Sequence, residues 1–592
     1  MKNFIKMTLA TLTGLLLFAG ASFIIFLGII GAAAALGKKQ PVMPASAVLT
    51  MDMSTIVLAE QTQETDAISA LQGKGEASTI GIYSAIHAIN TAALDPAVRF
   101  IYMKPDAVAG GMAQIEELRT ALQNFRASGK AIVSYIENPT NAGYYLASVS
   151  DRIYMTSYDG GINMFTGASS QMIFLKDLLD KIGINVQLIR HGKYKSAGEM
   201  FVRSTSSKEN MEQNAELISS VWNSWASAIA ISREISVSDL NAMLNNLQLN
   251  FPEDFLKKGL VDELVTYGQM RQKLADFYLT DKPENVKTIS LQDYAIVKTP
   301  VNLNPKAKIA VIYADGDIVD GKDNQQVAGD RFAKIIADIR NDESIKAAVL
   351  RVNSPGGSVM AAEKIKTEIA LLKEKMPVVA SYGSYAASGG YWISADCDKI
   401  YTNATTLTGS IGVFSMVPDF SNTVKERLHI NITPVNSNLH SDMYGMMRPL
   451  TDVEIAYMQA SVERIYTKFT ALVSEGRDIP AAEVDKIAQG RVWTGAEALN
   501  IRLADQIGTI EDAILWAALS IEGVTSMDEV SVEGYPKPLT NFEMILQSIE
   551  KSGEQNILAG TPFKGIAEAF SGWNTSQTGK VYARMPYEIV IR

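Results

Sequence analysis

Two serines and a lysine of this 592-residue chain stand in settings where they could do covalent chemistry. Ser388 lies between two alanines and two glycines, where its hydroxyl could be a nucleophile beside amides that stabilise an oxyanion. Lys195 lies among small residues, and burial would lower the pKa of its amine enough for it to act as a base. Ser410 follows the next predicted strand and could hydrogen-bond that amine. Together these residues could form the Ser/Lys dyad of a hydrolase.

Each of these residues also has a purely structural interpretation. Ser388 could be the N-cap of a helix, since serine is a preferred cap residue. Lys195 could be a solvated loop lysine, and Ser410 a turn serine that caps a helix. Histidine is a poor alternative base, because His429 and His440 are the first to follow Ser388 and neither lies in a glycine-rich or acid-flanked segment.

A second glycine-rich turn could supply further backbone donors. Residues 353–358 (NSPGGS) follow an apolar, strand-like run, as does the segment around Ser388. Gly356 and Gly357 have no Cβ that would block an approaching peptide chain. The predicted oxyanion hole therefore consists of the amide of Gly356 or Gly357 together with the amide of Gly389.

The first half of the chain carries a degenerate copy of the second half. Apolar runs, double glycines and Asp-Xaa-Ile-Tyr segments recur about 246 residues apart, which indicates a duplicated domain. Asn141 stands near the place of Ser388, and no lysine occurs from Glu426 to Thr467, where the counterpart of Lys195 would lie. Because each copy lacks what the other has, we predict one composite site at the interface between the copies.

The alternation of strands and helices predicts the fold class and the domain boundaries. In each copy, short apolar strands alternate with helical segments, which is typical of α/β folds with parallel sheets. Polar, proline-bearing segments at 281–285 and 298–305 separate the copies. We expect an N-terminal anchor at 1–40, a first repeat at 41–300 that supplies the lysine, and a second repeat at 301–592 that supplies the serine.

The N-terminal segment predicts a membrane anchor. Met7 to Gly37 contains no charged residue and has lysines on both sides. This apolar run is long enough to span a bilayer and longer than the apolar part of a cleaved signal peptide, which has about 7–15 residues. We therefore expect an uncleaved, single transmembrane helix, with the rest of the chain on one side of the membrane.

The composition excludes several classes of function. The net charge is −10 and the basic residues are dispersed, which argues against a nucleic-acid partner. Cys397 is the single cysteine, so an internal disulfide framework and a cysteine-based metal site are both excluded. We expect no metal and no cofactor.

The segments described above closely resemble the signal peptide peptidase A family, also called protease IV, in its long, duplicated form. The resemblance covers nearly the whole chain, and its most specific pieces are residues 194–197, 353–357, 385–392 and 490–495. It implies two tandem ClpP/crotonase-like repeats after a transmembrane helix. It also implies that Ser388 is the nucleophile, that Lys195 is the general base, and that Ser410 orients the lysine.

The resemblance further implies a substrate class, an assembly and a location. The enzyme would be an endopeptidase that degrades cleaved signal peptides and other unstructured apolar peptides through an acyl-enzyme. Four identical chains would form a bowl on the inner membrane, with their active sites on the periplasmic or outer side.

Two other functions stay open at the level of the sequence. A crotonase-type acyl-CoA enzyme would share the double-glycine turn, but it would need an adenine-binding basic patch and a catalytic carboxylate, and the sequence shows neither. A non-catalytic membrane scaffold would use Ser388 only as a helix cap. A serine-directed probe distinguishes the scaffold from the protease, and a thioester assay distinguishes the acyl-CoA enzyme.

Overall fold

The computed structural model describes most of the chain after the N-terminal segment: residues 41–62, 78–298, 302, 304–538 and 580–585, with parts of 6–22. Most of the predicted anchor, Met7 to Gly37, lies outside the described residues. Within the part that the structure describes, no helix is both long and apolar enough to cross a bilayer.

Short runs rich in β-branched and aromatic residues form the strands, as their β-propensity predicts. In chain order, the strands of the described segments are β1 (Ala47–Asp52), β2 (Ile56–Ala59), β3 (Ser78–Gly81), β4 (Val98–Lys104), β5 (Ile132–Ile136), β6 (Arg152–Thr156), β7 (Asn185–His191), β8 (Glu263–Val265), β9 (Thr288–Ser290), β10 (Ala307–Asp315), β11 (Ile318–Val319), β12 (Val327–Ala328), β13 (Ile345–Ser354), β14 (Gly356–Ser358), β15 (Val378–Ala387), β16 (Lys399–Thr402), β17 (Leu407–Gly409), β18 (Val413–Asp419), β19 (Val492–Thr494), β20 (Gln506–Ile507), β21 (Val530–Tyr535) and β22 (Val581–Arg584).

Helices connect most of these strands, so the chain has the α/β architecture that the sequence predicts. Those in the described segments after residue 40 are Ile82–Leu94, Met112–Ala127, Asn141–Ala147, Lys176–Ile182, Glu199–Val202, Lys208–Arg233, Val237–Asn245, Pro252–Lys257, Tyr267–Tyr278, Leu291–Lys298, Gly329–Asn341, Val359–Lys373, Gly389–Trp392, Asp452–Arg477, Ala481–Ile487, Gly495–Asn500 and Ile510–Leu519.

Two parallel sheets have the same strand order and represent the two copies. The first sheet runs β8-β6-β5-β4-β1-β9, and the second contains the matching path β20-β16-β15-β13-β10-β21. The second sheet also has β17 and β19 beyond the carboxyl-terminal part of β15. The predicted boundary near residue 300 falls between β9 and β10 of these sheets, and it stays a prediction.

Corresponding hydrogen bonds hold both sheets together. In the first copy, the amide of Ile153 donates to Asp262 Oδ2 over 2.7 Å. In the second copy, the amide of Ile400 donates to Asp505 Oδ2 over the same 2.7 Å. A carboxylate thus joins the start of one strand to the loop before the next strand of the sheet at the same place in each repeat.

A third, mixed sheet joins the copies, in the order β12-β11-β14-β22-β18-β7. Strand β7 of the first copy pairs antiparallel with β18 of the second, with His191 opposite Val413 at one end and Asn185 opposite Asp419 at the other. The loop after β7, which carries Lys195, is therefore placed against the second copy.

Apolar and charged contacts fix the two copies against each other. One continuous core contains Leu49 from the first sheet and Val311 from the second. Across the interface, Arg351 Nε lies 2.6 Å from Glu60 Oε2, and Arg351 Nη1 lies 2.7 Å from Glu117 Oε1. The three charged side chains are almost completely excluded from solvent, so their pairing offsets a large desolvation cost and fixes the relative orientation of the copies.

One segment differs between the copies more than the sequence alignment predicts. Residues 430–432 align with residues 184–186, but 431–437 forms no strand, whereas its counterpart 185–191 is β7. The physical reason is pairing: β7 has β18 as its neighbour, while the side chain of Val435 is 95 % exposed in the second copy.

Candidate active site

Strand register brings the turns of the second copy side by side. Ser354, at the end of β13, pairs with Ala386 of β15, and Ala387 pairs with Gly409 of β17. The turns that follow these strands therefore meet at one edge of the sheet, as is usual for sites in α/β folds.

Ser388 lies at the centre of this edge and is fully buried. It precedes the short helix Gly389–Trp392, but its side chain makes no capping hydrogen bond, so helix capping does not account for it. Its backbone has φ of 55° and ψ of −111°, a strained conformation for a residue with a side chain. The amide of Ser388 donates to the carbonyl of Gly409 over 2.8 Å, which holds the strained turn in place.

Lys195 reaches Ser388 from the other copy. Its Nζ lies 2.8 Å from Ser388 Oγ, 2.9 Å from Ser410 Oγ and 3.1 Å from the Ser410 carbonyl oxygen. Lys195 has no solvent-exposed surface, so it is not a solvated loop lysine. The structure thus brings together the three residues that the sequence analysis selected.

The surroundings of the amine favour its neutral form. Burial lowers the pKa of Lys195 well below its ordinary value, because the charged ammonium loses its hydration. Its three hydrogen-bond partners are two hydroxyls and a carbonyl, and none of them carries a charge. A neutral amine has two N–H donors and one lone pair, so it can donate twice to Ser410 and accept from the Ser388 hydroxyl.

Backbone contacts from both copies fix the position of Lys195. Arg190 Nη1 donates to the Lys195 carbonyl oxygen over 2.7 Å, and the amide of Tyr194 donates to the carbonyl of Gln489 over 3.0 Å. Gly490 has φ of 77°, and a Cβ at this position would lie 2.5 Å from Lys195 Cβ. The sequence analysis did not select Gly490, although this glycine begins the specific segment 490–495.

The double-glycine turn lies beside Ser388, and its two amides differ. The amide of Gly356 donates to Ser354 Oγ over 3.2 Å. Gly357 pairs with Ala583 of β22, and a Cβ built on Gly389 would lie 3.1 Å from both the Gly357 nitrogen and the Ala583 carbonyl oxygen. The amide nitrogen of Gly357 therefore lies beside Gly389, whereas the amide of Gly356 is bonded to Ser354 Oγ. Gly357 is thus the better candidate for the second oxyanion donor.

The sequence profile of peptidase family S49 matches residues 124–278 and 370–522, one match in each copy. The chain belongs to peptidase family S49. Protease 4 of Haemophilus influenzae is 31 % identical over 543 residues, which cover 88 % of this chain and 87 % of that protein. The chain is accordingly a serine protease, and its substrates are peptides. Family membership favours the protease over the acyl-CoA enzyme and the scaffold.

Further similarities are partial. A protein of Enterococcus faecium named putative signal peptide peptidase SppA is 32 % identical over 241 residues, which cover 40 % of this S49 protease and 69 % of that protein. A ClpP1 mutant from Listeria monocytogenes shares 15 % identity with a TM-score of 0.24, covering 34 % of this chain and 94 % of that one. The assignment of both copies to the ClpP/crotonase fold stays a prediction.

Proposed function

We propose that this S49 serine protease cleaves peptide bonds with Ser388 as the nucleophile and Lys195 as the general base. The observation that carries the proposal is the distance of 2.8 Å between Lys195 Nζ and Ser388 Oγ inside a fully buried site. A proton can pass directly between two groups at this distance. No solvent competes for either group, so the amine is free to accept the proton of the hydroxyl.

The acylation step follows from the hydrogen bonds of the amine. The Ser388 hydroxyl donates its proton to the lone pair of Lys195 Nζ while Oγ attacks the carbonyl carbon of the substrate. The amides of Gly357 and Gly389 stabilise the oxyanion, and removal of one such donor costs about 3 kcal/mol in other serine hydrolases. The protonated Lys195 then donates to the leaving amine, and an ester with Ser388 remains.

The deacylation step uses the same groups in reverse. Lys195, neutral again, accepts a proton from a water molecule as its oxygen attacks the ester carbon. The bond from this carbon to Ser388 Oγ then breaks, Lys195 returns the proton to Oγ, and the new carboxyl group leaves. Ser410 acts as the positioning residue, because its hydroxyl and its carbonyl oxygen both accept N–H groups of the amine. These two contacts direct the lone pair of Nζ at Ser388.

Signal peptides are the substrate class that we propose, together with other unstructured apolar peptides. A relative named as a putative signal peptide peptidase supports this class. The uncharged run from Met7 to Gly37 supports a membrane anchor, which would bring the site to peptides left in the inner membrane, on its periplasmic or outer side. Hydrolysis of a synthetic signal peptide in detergent micelles tests this class. Turnover of polar unstructured peptides without turnover of the signal peptide would contradict it.

We also propose that four chains assemble head to tail. Inside one chain, β7 of the first copy pairs with β18 of the second. The counterpart of β7 in the second copy is 431–437, and the counterpart of β18 in the first copy is 166–172. Neither segment forms a strand in the described chain, and Ile432 and Val435 within the first segment are exposed. Pairing of 431–437 with 166–172 of the next chain would repeat the internal interface and close a ring. Native mass spectrometry from detergent should give the mass of four chains, and a monomer mass would contradict the assembly.

Labelling with a serine-directed phosphonate tests the assignment of the catalytic residues. The wild-type protein should form one covalent adduct, and peptide mapping should place it on Ser388. Ser388→Ala should give no adduct, and Lys195→Ala should react very slowly because its serine has no base. Ser384→Ala is the matched control, since Ser384 is a nearby buried serine whose hydroxyl accepts from the amide of Ala113.

Two outcomes would contradict the assignment. One is an adduct on a serine other than Ser388. The other is a folded Lys195→Ala protein that reacts with the phosphonate at the wild-type rate. Circular dichroism of each variant would establish that a loss of labelling does not come from a loss of the fold.

A further inference from the structure

Strained backbone conformations occur together around Lys195. Three residues with side chains have a positive φ here: Ser388 with 55°, Ser410 with 49° and Gln489 with 55°. This conformation is costly for any residue other than glycine, and it persists only where neighbouring groups enforce it. Gln489 belongs neither to the proposed dyad nor to the proposed oxyanion hole, so its conformation needs another explanation.

Gln489 lies against the loop that carries Lys195. Its carbonyl oxygen accepts from the amide of Tyr194 over 3.0 Å. A Cβ built on Gly192 would lie 2.5 Å from this oxygen, and a Cβ built on Gly490 would lie 2.6 Å from the Lys195 nitrogen. A change in the backbone of Gln489 would therefore move or release the loop that carries the amine.

The segment 489–491 also holds Ser410, the other serine that bonds to the amine. The amide of Ser410 donates to the Arg491 carbonyl over 2.7 Å, and the amide of Gly490 donates to the Ile411 carbonyl over 2.8 Å. The segment thus contacts both the loop that carries the lysine and the serine that orients it.

The hydroxyl of Tyr466 holds Gln489 in its strained conformation. It accepts from the Gln489 amide over 3.3 Å and from Gln489 Nε2 over 3.2 Å. It donates to Asp485 Oδ1 over 2.6 Å, and Gln489 Nε2 donates to the same oxygen over 2.7 Å. Burial raises the pKa of Tyr466, so the hydroxyl keeps the proton that it donates. These four bonds fix both the backbone and the side chain of Gln489.

The ring of Tyr466 reaches the first copy. It stacks on His191, with 3.7 Å between the ring centres and 22° between the ring planes. His191 ends β7, which leads into the loop that carries Lys195, and its Nδ1 lies 2.6 Å from Glu463 Oε2. One side chain therefore contacts the strand before the lysine with its ring and the turn at Gln489 with its hydroxyl.

The matching place in the first copy has a different pair of side chains. The two long helices begin 244 residues apart, so Trp222 matches Tyr466 and Asn241 matches Asp485. The indole N–H of Trp222 donates to Asn241 Oδ1 over 2.8 Å, as the Tyr466 hydroxyl does to Asp485. An indole N–H donates but does not accept, so it could not hold a turn like that at Gln489. The hydroxyl that accepts is thus found in the copy whose turn lies against the lysine.

We propose that Tyr466 is a positioning residue for the Ser/Lys dyad, an inference that rests on the proposed function. Its hydroxyl holds Gln489 in the strained turn, and the turn keeps the Lys195 amine directed at the Ser388 hydroxyl. Without the Tyr466 hydroxyl, Gln489 relaxes to a negative φ and the loop that carries the amine loses its support. The loss should appear in kcat rather than in KM, because the hydroxyl acts on the base and not on the groups that would bind the peptide.

Tyr466→Phe tests the proposal, because it keeps the ring that stacks on His191 and removes only the hydroxyl. It should lower kcat by about 10–100-fold and change KM less than about twofold, since misplacement of a catalytic group costs rate more than binding. Hydrolysis of a fluorogenic peptide by the full-length proteins in detergent micelles measures both. Tyr144→Phe is the matched control, since it removes a buried hydroxyl that donates to the Leu260 carbonyl over 2.6 Å in the first copy. The control should lower the melting temperature and leave kcat of the folded enzyme unchanged.

The pH profile of kcat/KM separates positioning from a loss of the fold. The base must be neutral, so kcat/KM should rise with pH through the pKa of Lys195, which burial lowers. A looser turn in Tyr466→Phe admits water to the amine and raises this pKa towards its ordinary value, so the rise should move to higher pH. In Tyr144→Phe it should stay in place. A Tyr466→Phe protein with the wild-type kcat, or with a lower kcat and an unmoved profile, would overturn the proposal.

A second substitution tests whether the hydroxyl acts through Gln489. Glycine adopts a positive φ without support, so Gln489→Gly added to Tyr466→Phe should raise kcat at least about threefold above that of Tyr466→Phe alone. If Tyr466→Phe does not fold, Asp485→Ala takes its place, because Asp485 is exposed and its loss leaves the hydroxyl without an acceptor. This variant should also lower kcat and move the profile to higher pH. No gain in the double variant, or wild-type kinetics in Asp485→Ala, would overturn the proposal.

Labelling with the phosphonate separates failure of this proposal from failure of the proposed function. If the wild type is labelled on Ser388 and Tyr466→Phe is labelled at the same rate, the role of Tyr466 is overturned and the catalytic assignment is retained. If the wild type is not labelled on Ser388, the proposed function is overturned, and the role of Tyr466 with it.

Discussion

The two copies use the same turn for different purposes. In the second copy the turn holds Ser388, whose side chain makes no cap and faces Lys195 instead. In the first copy Asn141 occupies this place. Its Oδ1 accepts from the amide of Gly167 over 2.9 Å, its Nδ2 donates to the Gly167 carbonyl over 3.1 Å, and Thr140 caps the helix. The side chain of Asn141 therefore holds the first turn against Gly167, whereas the Ser388 hydroxyl makes no structural bond of this kind and contacts Lys195.

The scaffolds around these turns stayed alike while the side chains diverged. The long helices Lys208–Arg233 and Asp452–Arg477 have 26 residues each. The hydroxyl of Tyr144 donates to a loop carbonyl over 2.6 Å, and that of Tyr391 does the same over 3.0 Å. A duplicated domain can therefore lose half of a site in each copy without loss of the fold, provided that the copies stay docked.

The largest expected effect distinguishes the two turns directly. Ser388→Ala should lower kcat/KM for a peptide substrate by at least about 10⁴-fold, as removal of a nucleophile does in other serine proteases. Asn141→Ala should leave kcat/KM near the wild-type value and lower the melting temperature, because it removes the hydrogen bonds to Gly167. Steady-state kinetics and thermal unfolding measure both. An Asn141→Ala protein that is stable but inactive would show that the first turn takes part in catalysis.

A substitution at the interface between the copies should have the next largest effect. Arg351→Met leaves Glu60 and Glu117 buried without a counter-charge, which should lower the free energy of unfolding by about 3–5 kcal/mol. Lys334→Met removes an exposed ion pair to Asp338 and should change it by less than about 0.5 kcal/mol. Urea unfolding of the two variants makes the comparison. Similar losses in both would mean that the buried ion pairs do not hold the copies together.

The double-glycine turns of the two copies should respond differently to alanine. Gly356 has φ of 100°, and a Cβ there would meet the Gly389 amide, so Gly356→Ala should lower kcat by about 10²–10³-fold. At Gly110 an added Cβ would meet the side chain of Leu58 and no residue of the proposed site, so Gly110→Ala should lower stability and leave kcat unchanged. Active-site titration with the phosphonate separates kcat from the fraction of folded enzyme. Equal losses of kcat would refute the distinction.

The buried lysine should make stability depend on pH. Burial lowers the pKa of Lys195 in the folded protein, so between that pKa and about 10.5 the unfolded chain binds a proton that the folded chain does not. Stability should rise with pH in this window, by up to about 1.4 kcal/mol per pH unit from this group. The rise should be absent in Lys195→Met and present in Lys193→Met, whose residue is exposed. Denaturation curves at several pH values test this, and an unchanged slope in Lys195→Met would disprove it.

Local patterns made most of the fold predictable. Apolar runs followed by glycine turns mark the strands, and their repetition predicts the duplication. The closeness of Lys195 and Ser388 could also be anticipated, because each copy lacks the residue that the other has. The sequence also predicts a membrane anchor, and the family resemblance implies an assembly of four chains. Both stay predictions.

Other contacts between distant segments could not be predicted. Strand β22 pairs with the double-glycine turn, which lies far earlier in the chain, so no local pattern reveals the pairing. The Arg351 pairs join positions far apart in the chain, so no local pattern reveals them. Residues 431–437 differ from β7 in having Pro434 in place of Leu188, and proline cannot donate to a strand ladder. They also have no neighbouring strand within the described chain, and a sequence pattern does not show which neighbour a segment has.

The proposed nucleophile, Ser388, and the proposed base, Lys195, are separated by 193 positions along the chain. A nascent polypeptide that has left the ribosome only as far as the first copy holds an amine with nothing to activate. If the proposed dyad is correct, peptide cleavage can begin only after the second copy has been synthesised and has docked on the first, so the order of the chain itself would keep an incomplete product inactive.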